Sequence, residues 1–334
     1  MRFSTEEMEA ARRTVYAHLP PTPQYAWPML QQRLGATVWV KHENHTAAGA
    51  FKVRGGLTYF ADLARTQPRV AGVISATRGN HGQSVGFAAR LHGVPATIVV
   101  PHGNSTEKNA AMRTLGVQLV EHGEDFQAAR EHAATLAQAR GLHMVPSFHP
   151  SLIKGVATYW LEFFESFERG REPDVVFVPI GQGSGFCAAA AARAHTGARS
   201  ALVGVVSAHA TTYLDSFQAR RVVPAPVTTV LADGMACRLA DQEALAVLLQ
   251  EAEEVVTVTD EEVAEAMRIL FHDTHNVAEG AGAAALAAAL QQRGRWTGKT
   301  LGVPLTGGNV DSAAFAGVLT GRRSCPTPVS VLTT

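Results

Sequence analysis

The 334-residue sequence has little of what marks several protein classes. It holds three cysteines, Cys187, Cys237 and Cys325, odd in number and too widely spaced for a zinc motif. No disulfide framework follows, and a reducing compartment suits them best. No run approaches the roughly 20 apolar residues of a membrane span. The opening Met1-Arg2-Phe3-Ser4-Thr5-Glu6-Glu7 carries acids where a signal peptide carries an apolar stretch. Lys and Arg number 29 against 29 Asp and Glu, so no global field draws the chain to nucleic acid or an anionic membrane. Repeats and low-complexity linkers are also missing. These absences predict a soluble, cytoplasmic protein with a small-molecule partner, no nucleic acid and no membrane.

What is present is core material. Hydrophobic residues make up 46% and charged ones 17%, enough for about two domains or one large α/β unit with a second lobe. Residues 4–17 read as a helix capped by Ser4 or Thr5, ended by Leu19-Pro20-Pro21-Thr22-Pro23. A short helix over 28–34 precedes a strand from Thr37. From residue 70 strands and helices alternate: strands at 70–75, 96–100, 118–121 and 143–145, helices at 82–92, 106–115 and 124–140. This pattern predicts a parallel sheet within a small unit, 46–149. A helix over 151–169 carries Tyr159, Trp160, Phe163, Phe164 and Phe167, read as core packing. Further strands at 174–180, 202–207, 254–258 and 300–304 alternate with helices at about 186–195, 241–252, 260–272 (capped by Asp260) and 280–292.

The stretch around which the chain is organised is Ala50-Phe51-Lys52-Val53-Arg54-Gly55-Gly56, opening a helix over 51–65. One lysine follows an aromatic ring between glycines. A lysine that bonds covalently to an aldehyde needs a neutral amine, a fixed position and a flat apolar neighbour. A helix N-terminus disfavours the ammonium and so helps keep the amine neutral.

Three loops follow expected strands, and such loops gather where open α/β sheets bind ligands. Gly181-Gln182-Gly183-Ser184-Gly185 can hold a phosphate on successive N–H groups, or be an ordinary tight turn. Thr77-Arg78-Gly79-Asn80-His81-Gly82 suits a substrate carboxylate, or is a capped helix start with His81 as a packed histidine. Thr306-Gly307-Gly308-Asn309 offers a hydroxyl to a ring nitrogen, or is a plain turn.

In order, the Phe-Lys-x-Arg-Gly block, Gly-Asn-His-Gly-Gln, the glycine loop, Ala232-Asp233-Gly234, Glu279-Gly280-Ala281-Gly282-Ala283 and Gly307-Gly308-Asn309 resemble the fold-type II pyridoxal-phosphate enzymes. The resemblance is to the serine/threonine dehydratase and serine racemase group. It implies an α/β architecture of two open, twisted, mostly parallel sheets with flanking helices, like the tryptophan synthase β chain. A large domain would comprise 1–45 and 150–334, and a small one, 46–149, would cover the cleft. Lys52 would hold pyridoxal 5'-phosphate as a Schiff base and later move the α-proton. Phe51 would flank the ring and Asn80 bond its hydroxyl. Gly181, Gln182, Gly183, Ser184 and Gly185 would hold the phosphate, and Thr306 would face the pyridine nitrogen. Thr77, Gly79 and His81 would help hold the substrate carboxylate.

The implied activity is an ammonia-lyase. It would convert a β-hydroxy amino acid to a 2-oxo acid and ammonia. The substrate would be threonine, serine or a bulkier relative such as phenylserine, hydroxyaspartate or a hydroxyectoine breakdown product. Racemisation, β-replacement and a catalytically silent relative are the alternatives. Departures from the family matter. Ala50 stands for the usual serine, and His149 and Gly155-Val156-Ala157-Thr158 differ from the usual pattern. Arg78 occupies the place of a racemase's acid/base serine and stays protonated, so little or no racemisation is expected. Arg78 would bind a second anionic group of the substrate or pair with an internal carboxylate. Val206 replaces a metal-binding glutamate, so no metal site is assigned. A homodimer is implied. The chain stops at Thr334, so no regulatory domain, no amino-acid feedback and a catabolic role are expected; a shift in activity with isoleucine would count against this.

Overall fold

Ten strands form two sheets in the computed structural model, which describes residues 1–321. Cys325 and the last part of the expected large domain lie outside them. The strands are β1 (Gln24–Ala26), β2 (Thr37–His42), β3 (Val73–Ala76), β4 (Ala96–Val100), β5 (Gln118–Glu121), β6 (His143–Met144), β7 (Val175–Pro179), β8 (Ala201–Ser207), β9 (Glu254–Val258) and β10 (Thr300–Leu305). The six-stranded sheet runs β1-β2-β10-β7-β8-β9 and the four-stranded sheet β5-β4-β3-β6. All pairings are parallel except β1 with β2.

The central strands of the larger sheet, β7, β8 and β10, are buried on both faces and so are largely apolar. Alternation then sorts side chains to opposite sides. Val175, Phe177, Val203, Val205, Leu301 and Val303 share one core with the helices Asp260–Thr274 and Gly280–Gln291. Val176, Val178, Leu202 and Val206 face the helices Pro150–Glu165 and Ser184–Thr196. Val206 is thus a core residue, 1% exposed. Tyr159, Trp160, Phe163 and Phe164 pack in that second core. The helix Gly280–Gln291 is apolar all round, and its alanines let it sit tightly beneath the sheet.

Some expectations are corrected. Thr259, not Asp260, caps its helix, through a capping box with Glu262; Asp260 instead accepts from the Thr229 hydroxyl and the Val230 N–H. The sequence reading assigned no element to the helix Thr212–Ala219. The segment after Pro23 also pairs, as the edge strand β1, which the sequence reading did not assign. No helix of the described residues is long and apolar enough to cross a membrane.

Candidate active site

Lys52 is the first residue of the helix Lys52–Thr66, and Phe51 is its N-cap. Backbone hydrogen bonds stitch this segment to the end of β10. The Phe51 N–H donates to the Thr306 carbonyl (3.0 Å) and the Gly308 N–H to the Gly49 carbonyl (2.9 Å). Ala50 forms an isolated antiparallel bridge with Gly307. On the other side the Ser84 hydroxyl donates to the Lys52 carbonyl at 2.6 Å. The Lys52 amine lies 4.7 Å from the centre of the Phe51 ring. Burial lowers its pKa, with Glu279 acting in the opposite direction. Desolvation rather than the helix dipole is the leading cause.

The glycine loop meets the same ring. A Cβ built on Gly185 would lie 3.9 Å from Phe51 Cζ. Gly183 has φ 95° and caps the helix Ser184–Thr196; a Cβ there would come within 2.5 Å of Ala244 Cβ. A Cβ on Gly181 would strike the Gly234 carbonyl. The Tyr213 hydroxyl donates to the Gln182 carbonyl at 2.9 Å, and the Gln182 amide donates to Cys237 Sγ at 3.4 Å. The first N–H groups of the helix have no intrahelical acceptor, so the loop presents donors at the positive end of a dipole. Both described cysteines, Cys187 and Cys237, are free and buried, their thiols pushed up to about 12 and about 11 by burial.

The loop after β3 closes the arrangement. The Thr77 N–H donates to the Val99 carbonyl, and the Thr77 hydroxyl accepts from the Gly79 N–H, both at 3.0 Å. Asn80 donates its amide to Glu279 and accepts from Asn309 at 2.9 Å. His81 is pushed down to about 3, first by burial and then by Lys52, so it is neutral near pH 7; its buried Nε2 has no partner. Thr306 is 6% exposed, its hydroxyl 3.4 Å from the Ala281 carbonyl.

A cavity of about 910 Å³ opens beside these loops, reaching Arg78 on one side and Gln182 on the other. A partly desolvated amine on an aromatic ring, unbonded helix N–H groups and an orphaned imidazole nitrogen fit an aldehyde-bearing, phosphorylated ring cofactor.

Sequence reasoning gave no role to Lys108, Asp233, Glu279 or Asn309. Lys108 Nζ lies 2.7 Å from Asp233 and 3.2 Å from Glu279, and its Cδ is 2.5 Å from where a Gly79 Cβ would be. Burial opposes the Lys108 charge, but Glu279 and Asp233 outweigh it and raise its pKa. Glu279 is raised too, chiefly by burial, because one ammonium serves two carboxylates. The Asp-Gly and Glu-Gly motifs flagged two of these residues; Lys108 is an ordinary lysine in sequence. Among the described residues no group of His, Cys, Asp or Glu is placed to hold a metal.

A family model described as "Pyridoxal-phosphate dependent enzyme" matches residues 15–307. The chain belongs to that family. An L-threonine ammonia-lyase of Geobacter sulfurreducens is 37% identical over 84% of this chain and 69% of its own length. An L-threo-3-hydroxyaspartate ammonia-lyase of Saccharomyces cerevisiae is 30% identical, with 96% of this chain and 97% of that protein aligned. The chain spans about half, 48%, of the mitochondrial threonine dehydratase of the same yeast. The solved structure of threonine deaminase isoform 2 from Solanum lycopersicum superposes with a TM-score of 0.85 at 26% identity, covering 96% of this chain and 94% of that one. The family's cofactor, pyridoxal phosphate, is therefore the group to which Lys52 and the glycine loop are to be matched.

Proposed function

We propose that the chain is a pyridoxal-phosphate-dependent ammonia-lyase that turns a β-hydroxy amino acid into a 2-oxo acid and ammonia. The observation that carries this reading is the desolvated Lys52 amine, set on Phe51 between the Gly181–Gly185 loop and Thr306. When bound, the cofactor supplies a sink for the charge left at the substrate α-carbon. The chain's own groups do the rest. Lys52 Nζ would hold the cofactor and later take the α-proton; desolvation lowers the pKa of the free amine and so favours its neutral form. Phe51 flanks the ring, and Asn80 bonds its hydroxyl. Gly181, Gln182, Gly183, Ser184 and Gly185 hold the phosphate at a helix N-terminus. The neutral hydroxyl of Thr306 faces the pyridine nitrogen. Thr77, Gly79 and His81 orient the substrate carboxylate, with neutral His81 donating or accepting but carrying no charge. Arg78 remains protonated and offers no second base, which favours elimination over inversion.

The water lost with the β-hydroxyl returns when the unsaturated product hydrolyses, so the net products are one 2-oxo acid and one ammonium. Threonine and serine are the reference substrates. We place the protein in the cytoplasm, as a homodimer whose protomers each have a lobe of 1–45 with 150–334 and a smaller one of 46–149. Light scattering that reads a single-chain mass would remove the dimer from this proposal.

The test is a screen of β-hydroxy amino acids for 2-oxo acid release by the holoenzyme. At least one is turned over, and Lys52→Ala reduces the rate by at least about 1000-fold with loss of the cofactor's visible absorbance. Release of a mirror-image amino acid in place of a 2-oxo acid would overturn the assignment.

A further inference from the structure

The cavity beside the glycine loop is lined by Arg78, Arg130 and Arg238, against two acids, Asp125 and Asp241. Both acids are already engaged. Asp241 Oδ1 accepts from the N–H groups of Glu243 (2.9 Å) and Ala244 (3.1 Å), capping the helix that follows. Asp125 Oδ1 caps its own helix through the Ala128 N–H at 2.9 Å, and Oδ2 lies 3.5 Å from Arg238. The cavity therefore has more positive charge than its own carboxylates answer.

Arg78 is the residue left over. Among the described residues its side chain makes no hydrogen bond and no ion pair. The residues flanking it, by contrast, are held: the Thr77 N–H by the Val99 carbonyl, the Gly79 N–H by the Thr77 hydroxyl, and the Asn80 side chain by Glu279. Arg238 and Arg130 stand nearer the rim: the Arg238 side chain is 65% exposed and Arg130 is exposed, whereas Arg78 is half-buried. A guanidinium with five donors, held on a rigid loop and facing a partly enclosed space, is built to meet an anion in bidentate fashion. It stands two residues from Asn80, and Gln182 of the glycine loop lines the same cavity.

We infer that the amino acid this site takes carries a second anionic group on its side chain, and that Arg78 binds it. This rests on the ammonia-lyase reading and narrows it to a β-hydroxy amino acid with a distal carboxylate. Serine, threonine or an aromatic side chain leaves the guanidinium unpaired in the cavity, and a site built for a charged partner discriminates strongly against a ligand that lacks it. Among the described residues no carboxylate partners Arg78, so the internal-carboxylate role finds no support there.

The experiment compares kcat/KM for each diastereomer of 3-hydroxyaspartate with that for threonine on the holoenzyme. The better diastereomer is preferred over threonine by at least about 10-fold. Arg78→Gln lowers the ratio of the two constants by about 50-fold, and Arg78→Lys restores part of it. A wild-type preference for threonine, or an equal loss on both substrates in Arg78→Gln, overturns the inference. Should no β-hydroxy amino acid be turned over, the ammonia-lyase reading fails, and the anion site is read separately. Succinate and butyrate, equal in length with two and one carboxylates, are titrated against the holoenzyme's visible spectrum. A preference for succinate that Arg78→Gln abolishes supports the site; equal affinity for the two overturns it.

Discussion

Two buried histidines make stability depend on pH in a direction that single side chains dictate. The indole of Trp27 can only donate, and it donates to His42 Nε2 at 3.0 Å, so that nitrogen must be unprotonated. Burial, and then the neighbouring His45, push His42 down to about 4; His81 falls to about 3. An unfolded chain takes up these protons near the ordinary value of 6.5, but the folded one does not until far lower pH. Their stabilisation is thus complete above about pH 6.5 and is lost as pH falls toward 4 and 3, with a slope of up to about 1.4 kcal/mol per pH unit for each group. The urea midpoint should fall between pH 7 and pH 5, and His42→Gln should shrink the difference. A midpoint that does not move over this range would contradict the assignment.

At the scale of elements, the glycine loop is the most sensitive piece. Gly183 sits at a positive φ and against Ala244, so Gly183→Ala combines backbone strain with a clash. It should weaken cofactor affinity by about 10-fold or more, measured by titrating apoprotein with pyridoxal phosphate and following absorbance. Gly197→Ala, also at positive φ but with open space around it, is the control for strain alone. This loop was legible in sequence because three glycines between a β-branched strand and an alanine helix leave few alternatives. The lysine block stood out for a different reason, a single lysine after an aromatic ring and between glycines. Lys108 was not: its partners Asp233 and Glu279 come from distant elements, and nothing local separates it from a solvent lysine. The helix Thr212–Ala219 was missed because Thr211, Thr212 and Tyr213 read as β or loop residues, whereas burial of Tyr213 against the glycine loop decides the conformation. The edge strand β1 was missed because three residues carry no periodicity.

On the scale of the whole molecule, the Lys52 helix stands on a buried ionic cluster. Arg54 Nε and Nη1 bond Glu43 (2.7 Å) and Glu162 (2.6 Å), while Lys41 meets Glu162 (2.6 Å) and the Thr22 carbonyl (2.8 Å). Two cations balance two carboxylates, joining β2, the Lys52 helix and the helix Pro150–Glu165. Breaking such a cluster from one side leaves an uncompensated buried charge. Arg54→Met should cost about 3–5 kcal/mol in urea unfolding of the holoprotein; a loss below about 1 kcal/mol would mean that water or rearrangement replaces the guanidinium. The general architecture was readable from strand–helix alternation and from the ordered motifs. This cluster was not, since its members are spread from Thr22 to Glu162.

The seam between Ala50–Phe51 and Thr306–Gly308 joins an early segment to the end of β10, more than 250 residues later. A chain that has not yet reached β10 therefore leaves the Lys52 amine without one of its walls. Cofactor capture must then wait for β10 to dock beside β2, so that colour would report the closing of this seam.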